Sequence, residues 1–173
     1  IKNGTLTSVA TVEGSKEVKV LIQNYANLTL TDVILNGTGS NAMLYVLSNN
    51  SGTVNITGNT TIIANDDGDK AFAFDVCKYQ NYEAPVVNVN TTGKISGKIE
   101  VSAEIATNLN ISDGTITVEI ADDWCAEGYV PKDNGDGTYS VAAAEVTEAL
   151  QKYEARAFPN KDGSFGLYCE VTE

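Results

Sequence analysis

Histidine is missing from this chain, and arginine, tryptophan and methionine occur once each. Without histidine, the commonest general base and the commonest metal ligand are gone. With Arg156 the single arginine among 11 basic residues, almost nothing remains for bidentate phosphate recognition. Against those 11 stand 23 acidic residues, for a net charge of −12. Nucleic acid and anionic membrane surfaces reward the opposite sign, so neither is an expected partner. No run of about 18 apolar residues occurs, and no membrane insertion is expected. The three cysteines, Cys77, Cys125 and Cys169, are far apart and lack Cys-x-x-Cys spacing, which argues against zinc. A Cys125–Cys169 disulfide is one reading; the odd count leaves a thiol over, and buried free cysteine is the plainer one. The chain opens on Ile1 without a visible signal peptide, the pattern of a processed or trimmed N-terminus.

What is present is repetition. Leu28/Leu30, Val54/Ile56, Val87/Val89 and Leu109/Ile111 are aliphatic pairs split by one small polar residue. Each is followed by a polar or glycine-containing turn and a second short apolar stretch. Successive pairs lie about 26, 33 and 22 residues apart, the range in which one repeat makes one turn of a solenoid. Residues 3–12 hold a weaker copy, and residues 17–23 form a strand with Val18, Val20 and Ile22 on one face. A second strand family falls at residues 42–47, 71–77 and 98–105, with Phe72, Phe74, Val76, Ile99, Val101 and Ala103 as inward positions. One such turn cannot bury its aliphatics alone, whereas stacked turns pair every strand and make a continuous column. The sequence therefore predicts an all-β chain, a single-stranded right-handed parallel β-helix, with an antiparallel β-sandwich as the alternative.

The repeat stops at Ala121. Residues 122–129 gather Trp124 and Tyr129, read as cap core, and residues 133–141 read as a hairpin turning at Asp136-Gly137. Residues 142–152 read as a short helix with Val146, Leu150 and Tyr153 at helical spacing, and a second hairpin closes the chain. The expected division is 1–141 for the solenoid with its cap and 142–173 for the tail.

Ile111-Ser112-Asp113-Gly114-Thr115-Ile116, then Cys125-Ala126-Glu127-Gly128-Tyr129, then Asn134-Gly135-Asp136-Gly137-Thr138-Tyr139-Ser140-Val141 resembles β-helical surface proteins of gut bacteria and their phages. Those end in a coil of the type Ile-Ser-Gly-Gly-Thr-Phe, then Ala-Asp-Gly-Tyr and Asn-Gly-Asp-Gly-Thr-Tyr-x-Val. Ile116 in place of the aromatic, Glu127 in place of Asp, and the tail from Ala142 depart from that pattern. The resemblance implies a parallel β-helix on a cell or virion exterior and assigns no functional residue.

Candidate chemistry is sparse. A polysaccharide lyase or hydrolase on such a scaffold needs converging carboxylates. Asp75, Glu100 and Glu104, with Lys70, Lys94 and Lys98 nearby, form no repeat-related acidic trio, so a solvated strand face is the expected reading and catalysis is not. Asp66, Asp67 and Asp69 could hold calcium weakly, but they and residues 133–137 lack the EF-hand spacing and suit turns better. Eight Asn-x-Ser/Thr sites, at Asn3, Asn27, Asn36, Asn49, Asn55, Asn59, Asn90 and Asn110, read as a by-product of composition. Tyr45, Tyr79 and Tyr82 could stack on sugar rings; the last two sit in the insertion at residues 77–84 that lengthens the third repeat. The function expected is a non-catalytic structural or adhesive module, with a carbohydrate-binding module and then a polysaccharide-cleaving enzyme as alternatives. No cofactor is expected. The expected partners are a surface glycan, a protein, or further copies of the chain as a homotrimer.

Overall fold

The computed structural model describes residues 1–9, 19–64, 71–144, 153–159 and 165–171, the last two stretches as backbone alone. The protein is all-β. Fourteen strands are described: β1 (Lys2–Thr7), β2 (Val20–Asn24), β3 (Leu28–Asn36), β4 (Tyr45–Asn49), β5 (Thr53–Gly58), β6 (Thr61–Ile63), β7 (Phe72–Val76), β8 (Val86–Ser96), β9 (Lys98–Val101), β10 (Leu109–Ile116), β11 (Tyr129–Asp133), β12 (Tyr139–Ala143), β13 (Tyr153–Pro159) and β14 (Phe165–Val171). Two compact units result, Ile1–Ala143 and Ala144–Glu173.

In the first unit the chain alternates between two sheets. One runs β1-β3-β5-β8-β10-β12-β11, with β6 joining β3 and β8; the other runs β2-β4-β7-β9. Pairing is parallel from β1 through β10 and throughout the second sheet. Only β10–β12 and β11–β12 are antiparallel there, so the first sheet is mixed. The parallel ladders overturn the antiparallel sandwich. Parallel neighbours need a crossover, and the alternation supplies it: each return to a sheet passes through the other.

The aliphatic pairs meet in register. Leu28 lies beside Val54, Val54 beside Val87, and Val87 beside Leu109; Leu30, Ile56, Val89 and Ile111 form the next row. A third row, Leu35, Ile62, Ile95 and Ile116, comes from the apolar stretch after each turn. All of these but the half-buried Leu28 are buried, and they share one core with Val46, Leu47, Phe74 and Val76 of the second sheet. Each fully buried aliphatic contributes roughly 1.5–3 kcal/mol. The residues between them point outward and pair along the sheet: Asn88 Nδ2 donates to Asn55 Oδ1 at 2.9 Å, and Asn110 Nδ2 to Asn88 Oδ1 at 3.1 Å. Two of the eight Asn-x-Ser/Thr asparagines therefore sit in a side-chain ladder.

Where the first sheet bends, Asp32 takes a positive φ of 54° and Gly58 one of 64°. Asp32 Oδ1 accepts the Asn59 N–H at 2.9 Å, tying one corner to the next. A Cβ on Gly58 would collide with that same carboxylate.

Several boundaries differ from expectation. The strand expected over 98–105 stops at Val101, where its neighbour β7 ends at Val76, and residues 103–108 turn as a 3-10 helix with Ala103 exposed. Phe72 is half-buried rather than inward. Ala142 and Ala143 extend β12 against Val130 and Tyr129 instead of opening a helix; residues 145–152 lie outside the described residues. The 133–141 hairpin is present, with Asp133 opposite Tyr139. Trp124 is half-buried against the core from a short 3-10 turn, while Tyr129 is exposed rather than part of a cap core. In the second unit β13 and β14 pair antiparallel, Tyr153 opposite Val171.

Candidate functional site

Because β2, β4 and β7 are parallel neighbours, the connections that follow them leave from the same end of the second sheet. The first is Tyr25–Asn27, the second Asn50–Gly52, and the third the longer stretch 77–85. The middle turn stays low: Gly52 has φ 76°, and Asn50 N–H donates to Asn24 O at 2.9 Å. Below it, Asn24 Nδ2 donates to Asn49 Oδ1 at 2.8 Å and to Ser51 O at 3.1 Å, and Asn49 Nδ2 donates to Val86 O at 3.2 Å. This buried asparagine pair fixes the base of both outer connections.

Over that base three tyrosines converge. Tyr25 and Tyr79 meet edge to face, centroids 6.0 Å apart at 73°; Tyr25 and Tyr82 are 5.2 Å apart at 52°; Tyr79 and Tyr82 stack at 6.2 Å and 27°. Tyr82 N–H donates to Tyr79 O at 3.1 Å, a turn in which Gln80 takes φ 51°. Gln23 Nε2 donates to the Tyr25 hydroxyl at 3.0 Å. Large aromatics usually give up most of their surface on folding, yet these keep 41%, 41% and 48% exposed for Tyr25, Tyr79 and Tyr82. Desolvation first, then the two neighbouring phenols, push the Tyr25 hydroxyl up from its usual value.

Two of the three tyrosines expected to bind are thus together. The third, Tyr45, is not with them. Its ring stacks on Phe72 at 5.2 Å and 18°, and its hydroxyl donates to Glu100 Oε2. Tyr25 takes its place, and the sequence reading missed it. Aligning Gln23-Asn24-Tyr25 with Ser48-Asn49-Asn50, in register on β2 and β4, would have placed Tyr25 on the turn beside the insertion.

The acidic candidates divide as well. Asp75 and Glu100 are cross-strand neighbours, while Glu104 is exposed on the 3-10 turn. Asp75 is 5% exposed, not on a solvated face. It accepts the Asn49 N–H and, at 3.3 Å, the Ser48 hydroxyl. Burial pushes its carboxyl up to about 6, against which those two hydrogen bonds pull down. Burial likewise raises the Cys77 thiol, whose Sγ donates to Glu100 O at 3.8 Å. Tyr45 is held well above its usual value by burial and then by its bond to Glu100. Ligand-type atoms of Asp75, Cys77 and Glu100 lie within 4.8 Å of one another. Their donors and acceptors are largely spent within the cluster, which makes it a hydrogen-bonded network at the β4–β7–β9 junction. Lys94 and Lys98 are elsewhere, lining a groove of mixed character with Ile63, Ala71, Thr117 and Val118.

The 133–137 loop spends its oxygens on turn bonds: Asp133 Oδ1 accepts Gly135 N–H at 2.8 Å, and Asp136 Oδ1 accepts Thr138 N–H at 3.0 Å and its hydroxyl at 2.6 Å. Asp66, Asp67, Asp69 and Lys70 lie outside the described residues. Cys125 is a free thiol donating to Ala121 O at 3.8 Å, and the side chain of Cys169, its expected disulfide partner, lies outside what is described. No protein-family model matches this chain, and neither does any curated protein or solved structure.

Proposed function

We propose that residues 1–143 wind as a right-handed parallel β-helix and serve as a non-catalytic adhesive module on a bacterial cell surface or phage virion. The alternation between two parallel sheets, with aliphatic rows in register from coil to coil, supports the winding. The resemblance of residues 111–141 to β-helical surface proteins of gut bacteria and phages supports the setting. The single observation that carries adhesion is the exposed Tyr25/Tyr79/Tyr82 cluster on a pre-ordered base. Catalysis is the weaker reading, because the Asp75/Glu100 pair is tied up in the hydrogen-bonded network around Asp75.

The test is retention of the labelled full chain on washed bacterial cells. Retention that disappears in the Tyr25→Ala/Tyr79→Ala/Tyr82→Ala variant, with its melting curve unchanged, is the expected result. Undiminished retention of that variant would remove the cluster from adhesion.

A further inference from the structure

We infer that the tyrosine cluster is a platform for neutral hexopyranose glycans. This rests on the adhesive reading above and names the ligand class of the same surface.

Three features select that ligand. The first is the spacing of the rings. Centroids 5.2–6.2 Å apart place the three rings in contact with one another. A cage for a quaternary ammonium or methylated amine needs a void in which the cation sits between ring faces. At these separations the rings touch one another and leave no room for a cation between their faces, while each keeps two-fifths or more of its surface exposed as apolar area. A sugar ring, with an apolar C–H face and an equatorial rim of hydroxyls, is complementary to such a surface.

The second is size. The apolar area is three rings wide and bordered by exposed Lys78, Gln80, Asn81 and Glu83. A stable protein interface needs about 800 Å² from each partner with an apolar centre, more than three half-exposed rings offer. One or two stacked sugar rings fit it, and the amides of Gln80 and Asn81 supply the rim of donors and acceptors that hydroxyls require.

The third is charge. Lys78 beside Tyr79 and Glu83 beside Tyr82 offset each other at the border, so the field at the platform is set by the −12 that the chain carries overall. That field raises the local concentration of neutral over acidic polymers, so uronic, sialylated and sulfated glycans are disfavoured.

The experiment is native affinity electrophoresis of the full chain through gels holding a neutral polysaccharide (dextran, mixed-linkage β-glucan, xylan or galactomannan) or an acidic one (polygalacturonate or heparin). The expected result is retardation by at least one neutral polymer and by neither acidic one. Tyr25→Ala should weaken the apparent Kd about tenfold, the size of one lost aromatic contact, with Tyr25→Phe close to the parent. Tyr129→Ala, an exposed tyrosine elsewhere, should change nothing. Retardation by an acidic polymer overturns the charge argument. No retardation by any of them, with tyrosine-dependent retention on cells intact, overturns the glycan inference and leaves adhesion through a protein partner. If cell retention is also indifferent to the tyrosines, both readings fall.

Discussion

At the scale of single residues, Asp75 is the most consequential group in the second sheet. Its carboxyl titrates near 6 rather than 3.8 because burial costs the charged form more than two hydrogen bonds return. A carboxyl whose folded pKa is raised binds its proton more tightly in the folded state. Its stabilising contribution is therefore complete below 3.8 and is lost as the pH climbs through about 6. A shift of about two units corresponds to roughly 2–3 kcal/mol. We expect the unfolding free energy of the parent to fall by about that much between pH 4 and pH 7 relative to Asp75→Asn, which cannot ionise. Urea denaturation at unit pH steps reads it. Parallel profiles for the two proteins would mean that Asp75 is solvated after all. The sequence could not have placed this group. On β7 all four residues from Ala73 to Val76 are buried, so the alternation that marks an outward aspartate is absent in the fold though present in the letters. Tyr45 lies apart from the other two expected tyrosines for a related reason. Residue type marks an aromatic as able to stack on a sugar but does not say that Phe72 already occupies its face.

At the scale of elements, the stacking rows were legible because they are local and periodic. The pairs Leu28/Leu30, Val54/Ile56, Val87/Val89 and Leu109/Ile111 are written in the chain at the spacing at which they meet. Strand ends were less legible, since β9 stops where its neighbour stops and not where its own apolar residues do. Corners lie between these cases. A polar or glycine turn was visible, but which residue takes a positive φ depends on what the neighbouring strand places beside it. At Gly58 that neighbour is the Asp32 carboxylate, itself at positive φ and holding Asn59. Gly58→Ala puts a Cβ into this carboxylate at a φ of 64°. We expect a loss of about 1–3 kcal/mol in stability without loss of β-sheet signal. Thermal melts followed by circular dichroism measure it, and a variant as stable as the parent would show that the corner is not constrained by its neighbour. The same logic accounts for Tyr25: the cluster is assembled by two connections that are distant in sequence, and only the register of β2, β4 and β7 brings them to one end of the sheet.

At the scale of the whole molecule, the question is what each unit needs from outside itself. Every parallel pairing described closes within residues 1–143, as does the described core. The antiparallel pair β11–β12 meets the end of β10, the last strand of the parallel run, at Ile116 opposite Tyr139, and Cys125 bridges Ile111 further along it. A chain ending at Ala143 should therefore keep its sheet spectrum and unfold cooperatively near the parent's melting temperature. A collapsed spectrum would show that the second unit completes the first. The second unit is different in kind: its described strands form one hairpin, β13 with β14, and an isolated two-stranded hairpin is marginal in water. A hairpin of this kind is stabilised by packing on a further surface, and copies of the same chain are one source of it. Light scattering on the full chain and on the 1–143 fragment separates the roles. A trimer that becomes a monomer on truncation makes the tail the assembly element of a multivalent projection, in which three tyrosine platforms raise avidity without any new contact. A monomer in both leaves each platform to bind alone, and adhesion then depends on the affinity of a single site.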